Sequence, residues 1–439
     1  MPSQNPLFGS VPSGKPTSGV LPLGALEAVD RGLKYNLALI LSEQATTAAR
    51  GARYRALADV LPTLTSRVAE SVQQINLAAY GIPAPAGTGP IIGPFSVFDA
   101  RLLTSGSLLD LHSLNLLRAR TEDVNAATLD LQNTRDLIVL VVGATYMQAL
   151  AGQARIASVE AQLRTAQTVY QLSLDMKNAG MAPRIDVLRS QVEMQVQQQR
   201  LVAARNDFGK QKLTLGRIIG LPAEQEFTLT EKIPVTPTAP LTLEMAIDRA
   251  LRDRPDYHSA EARVRAAELN KKAAYGEALP SVRFNADYGV IGRRPTENHS
   301  TFTTAAALQI PIFQGGKVKG DVMQAEALLR QRESSRDDLR GQIEFDVRTS
   351  FLDLQSAAEQ VRVAQSSMKL AEETLEQARD RFRAGVANTV EVVQAQEVVA
   401  VTNENYISST FAYNVAKLEL ARSLGVAEHA VKDFLRGKP

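Results

Sequence analysis

The chain contains no cysteine. That excludes disulfides, thiolate metal sites, a cysteine nucleophile and a lipidated N-terminal cysteine among these residues. Tryptophan is absent and aromatic residues make up only 5%, which suits helices rich in Ala, Leu and Gln better than a large globular core. No uninterrupted apolar run approaches the roughly 18 residues of a membrane helix; the longest, Leu137 to Val142, lies inside a helical pattern. The net charge is +2, so there is no bulk electrostatic case for a nucleic-acid or acidic partner. His112, His258, His299 and His429 are scattered without metal-ligand spacing, and GGKVKG from Gly315 lacks the spacing of a phosphate loop. Nothing here calls for an enzyme, a cofactor or a metal. The opening MPSQNPLFGSVPSGKPTSG has neither a charged n-region nor an apolar core. It is not a signal peptide, and an exported form would be the mature chain after signal removal.

What is present is a long helical signal. Leu354, Val361, Met368, Leu375 and Phe382 fall seven apart, with Ala357, Ala364, Ala371 and Ala378 between them. This is an a/d seam of a coiled coil whose small Ala positions let a partner helix come close. From Lys317 to Arg383 such a helix spans roughly 100 Å at about 1.5 Å per residue. It ends in the turn RFRAGVANTVEVVQAQ, where Gly385 stops one helix and Asn388 or Thr389 can cap the next.

The chain is duplicated, as two sets of matching stretches at constant offsets reveal. Ala28 to Leu33 lies over Ala246 to Leu251, and Leu61-Pro62 over Leu279-Pro280. Further on, Tyr146 lies over Phe351, Gly180 over Gly385, Asp186-Val187 over Glu391-Val392, and Gly220 over Gly425. The first copy repeats the heptad more weakly through Val142, Ala149, Ile156, Leu163 and Tyr170. The resulting division is an extended segment at 1–21, a first repeat at 22–220, a Pro-rich linker at 221–240, a second repeat at 241–425 and a tail at 426–439. Within the first repeat, a helix from about Leu23 to Val60 precedes a strand pair at 63–104, a long helix at 106–178 and a short one at 183–219. The second has a helix at 241–278, a strand pair at 281–312, a long helix at 316–384 and a short one at 388–424. The helix before each strand pair and the helix after each Gly turn are about half the length of the long ones. End to end, two of them match one long neighbour, which places the linker and the termini around a waist.

Between the Pro stop and the long helix the period changes to two. Val282, Phe284, Ala286, Tyr288 and Val290 alternate with polar neighbours, and so do Phe302, Thr304, Ala306, Leu308 and Ile310, with the loop GRRPTENHS between the strands. The first copy has weaker counterparts near Leu64 to Leu77 and Phe95 to Leu103, joined by YGIPAPAGTGP. Alternation alone fits a half-buried sheet on the helices equally well. The long coiled coils offer no globular body for that sheet, which favours a membrane barrel, apolar outside and polar within. Closed barrels need about eight strands or more, so four per chain imply two or three copies.

This order of elements resembles the TolC-like outer membrane efflux family, over roughly residues 22–425. The turn RFRAGVANTVEVVQAQ, its duplicate KNAGMAPRIDVLRSQ, the passage IPIFQGGKVKGDV and the stretch LTLEMAIDRALRDRPD carry the likeness. The resemblance implies a mainly α fold of duplicated long hairpins, with four strands per chain entering a 12-strand barrel in the outer membrane lipid above a periplasmic tunnel. It also implies a homotrimer, a passive exit channel for efflux or type I secretion, and a periplasmic adaptor protein and inner-membrane pump as partners. The other class in play is a soluble or peripheral coiled-coil scaffold whose strands pack privately. By position, the resemblance places adaptor contact at Gly180, Met181, Ala182, Gly385, Val386 and Ala387, although both glycines also suit plain left-handed helix caps. Glu391 and Gln394 occupy places where the family often carries a ring of carboxylates at a constriction, but Glu391 equally fits the N3 position of a helix capped by Asn388. Asp186, the matching acid of the first copy, is a further candidate for the constriction, though it reads more readily as an ordinary N-terminal helix charge. Arg379, Arg381 and Arg383 could form salt links that hold a tip closed, or a solvated helix face.

Overall fold

The computed structural model describes residues 5–12, 19–83, 87, 89–231 and 241–428. Parts of the expected N-terminal segment, linker and C-terminal tail, with His429, lie outside the described residues. The elements run β1 (Leu21–Leu23), α1 (Ala25–Tyr35), α2 (Leu37–Ala58), β2 (Thr63–Asn76), β3 (Ile91–Leu109), α3 (Leu111–Asn178) and α4 (Arg184–Ile218). They continue with β4 (Phe227–Leu229), α5 (Leu243–Asp253), α6 (Pro255–Gly276), β5 (Ser281–Arg294), β6 (Glu297–Gln309), α7 (Lys317–Arg383) and α8 (Thr389–Ser423). The chain divides into two compact units, one of Met1–Ala45, Leu129–His258 and Asp337–Pro439, the other of Thr46–Thr128 and Ser259–Arg336.

The second unit carries an antiparallel sheet in the order β2-β3-β5-β6. Each hairpin pairs with itself, and β3 joins β5 to connect the two copies. The register sorts the side chains onto two faces. Val68, Ala100 and Val290 lie in one cross-strand row, Leu102, Tyr288 and Phe302 in the next, and Val282 faces Leu308. On the opposite face Arg67 is level with Arg101, and Asp287 lies between Leu103 and Thr303. Arg101 binds both Asp99 and Asp287 there. The apolar face is uncovered: Leu64, Val68, Val72, Tyr288, Phe302 and Leu308 are all exposed. The outer edges of β2 and β6 pair with no other strand among the described residues.

The strands differ from the sequence expectation at their ends. β5 and β6 run on to Arg294 and Glu297, so the expected loop GRRPTENHS collapses to Pro295-Thr296. Polar residues sit comfortably in a ladder whose flanks face solvent. β3 reaches from Ile91 to Leu109, past the expected limits at both ends. A register shift at Gln73/Ile75 absorbs the Gly93-Pro94 step, which breaks the alternation in the sequence. α3 therefore begins later than expected, where Asp110 accepts hydrogen bonds from the His112 and Ser113 amides at 3.0 and 3.2 Å.

In the first unit the two half-length helices expected at each copy's start are broken. α1 gives way to α2 at Asn36, which is fully buried. Its side chain donates to the Leu7 carbonyl at 2.8 Å and accepts from the Ala38 amide at 2.9 Å. α5 gives way to α6 at the matching place, Arg254-Pro255, because proline cannot continue a helix but starts one readily. The expected extended N-terminal segment instead forms a 3-10 turn at Pro6–Phe8, and Gly9 and Val11 bond to the backbone of Leu37 and Tyr35. β1 and β4 pair in parallel beside it.

The main core of this unit gathers Leu23, Val29, Ile138, Val142, Tyr146, Leu215, Ile218 and Leu418. A second cluster sets Ala246 and Ala250 of α5 and Ile343 and Val347 of α7 against Tyr413, Ala416, Leu420 and Leu424. The start of α5 thus meets the last turns of α8. Along α7 the seam is buried at Leu354, Ala357, Val361, Ala364, Ala371, Ala378 and Phe382. In α3 the seam departs from expectation. Val142 and Ala149 are buried, but further along the buried positions are Ala166, Val169, Ser173 and Met176 in place of Ile156, Leu163 and Tyr170. The cause is a change of partner: upstream α3 packs on α1, α4 and the last turns of α8, and near its own end on α7 and the start of α8. By length and composition α3 could cross a membrane, but most of the qualifying stretch is buried within the chain.

Candidate functional site

The two Gly turns lie together. Val169 and Met176 of α3, Ala378 and Phe382 of α7, and Val392 and Ala395 of α8 share one small core, with Ala182 packed against it. Both turns close in the same way. Gly180 and Gly385 have φ of 75° and 74°, the left-handed region that glycine enters without a Cβ penalty. The Gly180 amide donates to the Lys177 carbonyl and the Met181 amide to Met176; Gly385 and Val386 repeat this toward Phe382 and Arg381. These paired bonds cap the last helical carbonyls. They leave Met181 and Val386 at the outermost position, 68% and 67% exposed.

Ile185 and Leu188 extend this apolar surface along α4. The sequence reading missed them. The signal was available: Asp186, Val187 and Ser190 take the buried face of α4, so the neighbouring aliphatic residues must face outward.

Electrostatics at the tip are organised within the chain. Asn388 caps α8, its side chain accepting the Glu391 amide at 3.2 Å. The Glu391 carboxylate does not turn back to complete a capping box; it binds Arg381 at 3.0 Å, across the turn. Arg383 pairs with Asp380 of its own helix at 3.3 Å. Asp186 is buried beside Arg189 at 3.6 Å, and Gln394 is exposed. The exposed Arg381–Glu391 pair is worth at most about 1 kcal/mol, so it biases the turn without locking it. Of the histidines, His112 bonds to the Ala273 carbonyl, His258 to that of Arg252, and His299 lies on β6.

Residues 246–426 match the sequence model of the outer membrane efflux protein family. That stretch is the second repeat, and the likeness to known proteins extends over most of the chain. It is 22% identical over 338 residues to the pyoverdine export outer membrane protein OpmQ of Pseudomonas putida, covering 75% of this chain and 70% of that one. It is 24% identical over 303 residues to the alkaline protease secretion protein AprF of Pseudomonas aeruginosa, covering 68% of this chain and 63% of the relative. Its fold matches the outer-membrane channel OprN with a TM-score of 0.78 at 20% identity, over 91% of this chain and 89% of that chain.

Proposed function

We propose that the protein is the outer membrane exit channel of a tripartite efflux or type I secretion system. It acts as a homotrimer, with the hairpin tips meeting a periplasmic adaptor that links it to an inner-membrane pump. The observation that carries this reading is the open four-stranded sheet, polar on one face, apolar and exposed on the other, with both edges unpaired. A free edge and a bare apolar face are unstable in water. Three copies joined β2 to β6 remove every edge, and the lipid covers the apolar side. Passage is passive, driven by the pump. The exposed Met181 and Val386, beside the small residues Gly180, Ala182, Gly385 and Ala387, form the adaptor contact, since small residues let a partner hairpin approach closely.

The test has two parts. Purified protein requires detergent and runs as a trimer; a water-soluble monomer would favour the coiled-coil scaffold. Gly385→Arg then abolishes export and adaptor cross-linking while the trimer persists. Normal cross-linking and export in that variant would refute the contact.

A further inference from the structure

One turn or two above the tip core, α3, α4, α7 and α8 line a half-open cavity of about 300 Å³, with Glu372 at its exposed side. Its lining includes Ser158, Glu193, Gln197, Glu372, Gln396 and Asn403, and no lysine or arginine. Gln197 and Gln396 are only 1% and 6% exposed. In each the Oε1 atom is buried without a hydrogen-bond partner. For Gln197 the amide orientation follows from chemistry. Its Nε2 donates to the Glu193 carboxylate at 2.7 Å, and a carboxylate can only accept, so the oxygen is the atom left over. An unsatisfied buried acceptor costs about 1–3 kcal/mol. A core built from Leu and Ala elsewhere along the same seam has no need of it.

The cavity therefore presents acceptors: two orphaned amide oxygens and two carboxylates, facing no cationic side chain. Its complement is a positively charged species rich in donors. At roughly 30 Å³ per water, the space holds about ten waters. That exceeds a bare ion and suits a cation that keeps its hydration shell and binds through one or two carboxylates, as magnesium does. We propose that the cavity is a site for a hydrated divalent cation of the magnesium class. Glu193 and Glu372 hold its charge, and the Gln197 and Gln396 oxygens accept from its waters. The ion ties four helices together just above the tip and stiffens the ends of both hairpins. This inference rests on the chain's own residues and does not depend on the trimer or the adaptor.

The full-length protein in detergent, stripped with EDTA, is titrated with Mn²⁺ and followed by electron paramagnetic resonance. One saturable Mn²⁺ per chain is expected, displaced by Mg²⁺, with a melting temperature that rises with Mg²⁺. Glu193→Gln with Glu372→Gln weakens binding at least tenfold, whereas Glu373→Gln outside the cavity does not. Gln396→Leu, which removes the amide oxygen and keeps a side chain of similar size, also weakens binding and serves if the double variant misfolds. Absence of saturable binding, binding indifferent to these variants, or binding lost on Glu391→Gln would each overturn the proposal, the last by placing the ion at the tip.

Discussion

Four glycines end the helices of the two hairpins with nearly one backbone conformation. Gly180 and Gly385 at the tips have φ of 75° and 74°, and Gly220 and Gly425 at the far ends of α4 and α8 have 72° each. Alanine in that region costs about 1–2 kcal/mol at any of the four. What surrounds them separates the pairs. A Cβ added at Gly180 or Gly385 meets nothing within 4 Å. At Gly425 it would lie 2.7 Å from the Arg254 Cα and 2.8 Å from the Asp253 carbonyl oxygen, and at Gly220 2.5 Å from the Tyr35 Cβ. Those contacts are with backbone or a β-carbon, which cannot swing aside. Relieving them means moving the break between α5 and α6, or between α1 and α2. Overpacking of this kind adds about 1–3 kcal/mol. Gly425→Ala and Gly220→Ala should thus cost roughly 2–5 kcal/mol in total, against 1–2 at the tips. Thermal melting of the purified protein, with trypsin resistance as a second readout, should show a clearly larger loss for the far pair. Equal losses at Gly385 and Gly425 would refute the packing argument. The same comparison isolates function, since Gly385→Ala carries the backbone strain of Gly385→Arg without its bulk. Export should survive in the first and fail in the second.

The break at Arg254 is also an ionic centre. Arg254, with a side chain only 3% exposed, binds Asp256 at 2.7 Å and Asp346 at 3.0 Å. Removing one partner of such a buried pair by Arg254→Ala should cost about 3–5 kcal/mol. Burial alone would raise the Asp256 carboxyl, but the hydrogen bonds and charge of Arg254, with Arg422 behind them, outweigh it and hold the group below its ordinary value. A folded value below the unfolded one gives stability that is complete above about pH 4. That stability is lost as pH falls through the folded value. Melting temperature should therefore drop with acid in this range, and Asp256→Asn should flatten the slope; an unchanged slope would remove Asp256 from the account. At the tip, Arg381 offsets part of the Glu391 charge. In planar bilayers Glu391→Ala should lower cation selectivity and block by polyvalent cations, while Arg381→Ala should raise both. No change in either variant would end the constriction role.

Periodicity exposed the parts of this molecule whose surroundings repeat. Along α7 one pair of columns keeps to the inner side from Leu354 to Phe382, with Met368 and Leu375 only half-buried, because the helix keeps an interior face over that length. In α3 the neighbours change partway, so a heptad extrapolated from Val142 and Ala149 drifts off the buried face. The break at Asn36 was hidden for another reason: it is held by partners distant in sequence, the Leu7 and Ile218 carbonyls, whereas its counterpart at Arg254 carried a local signal in Pro255. Gln197 and Gln396 were hidden by composition, since glutamine in a Gln-rich coiled coil reads as surface. The duplicated glycines state the general point most sharply. Gly180 matches Gly385 and Gly220 matches Gly425 in the repeat, and all four share one φ, which the need for a left-handed residue makes visible in the sequence. Whether open space or the backbone of another helix lies beyond the missing Cβ depends on which helix ends come together. Local sequence thus fixes the conformation at each turn, while packing decides which turns are free to meet a partner.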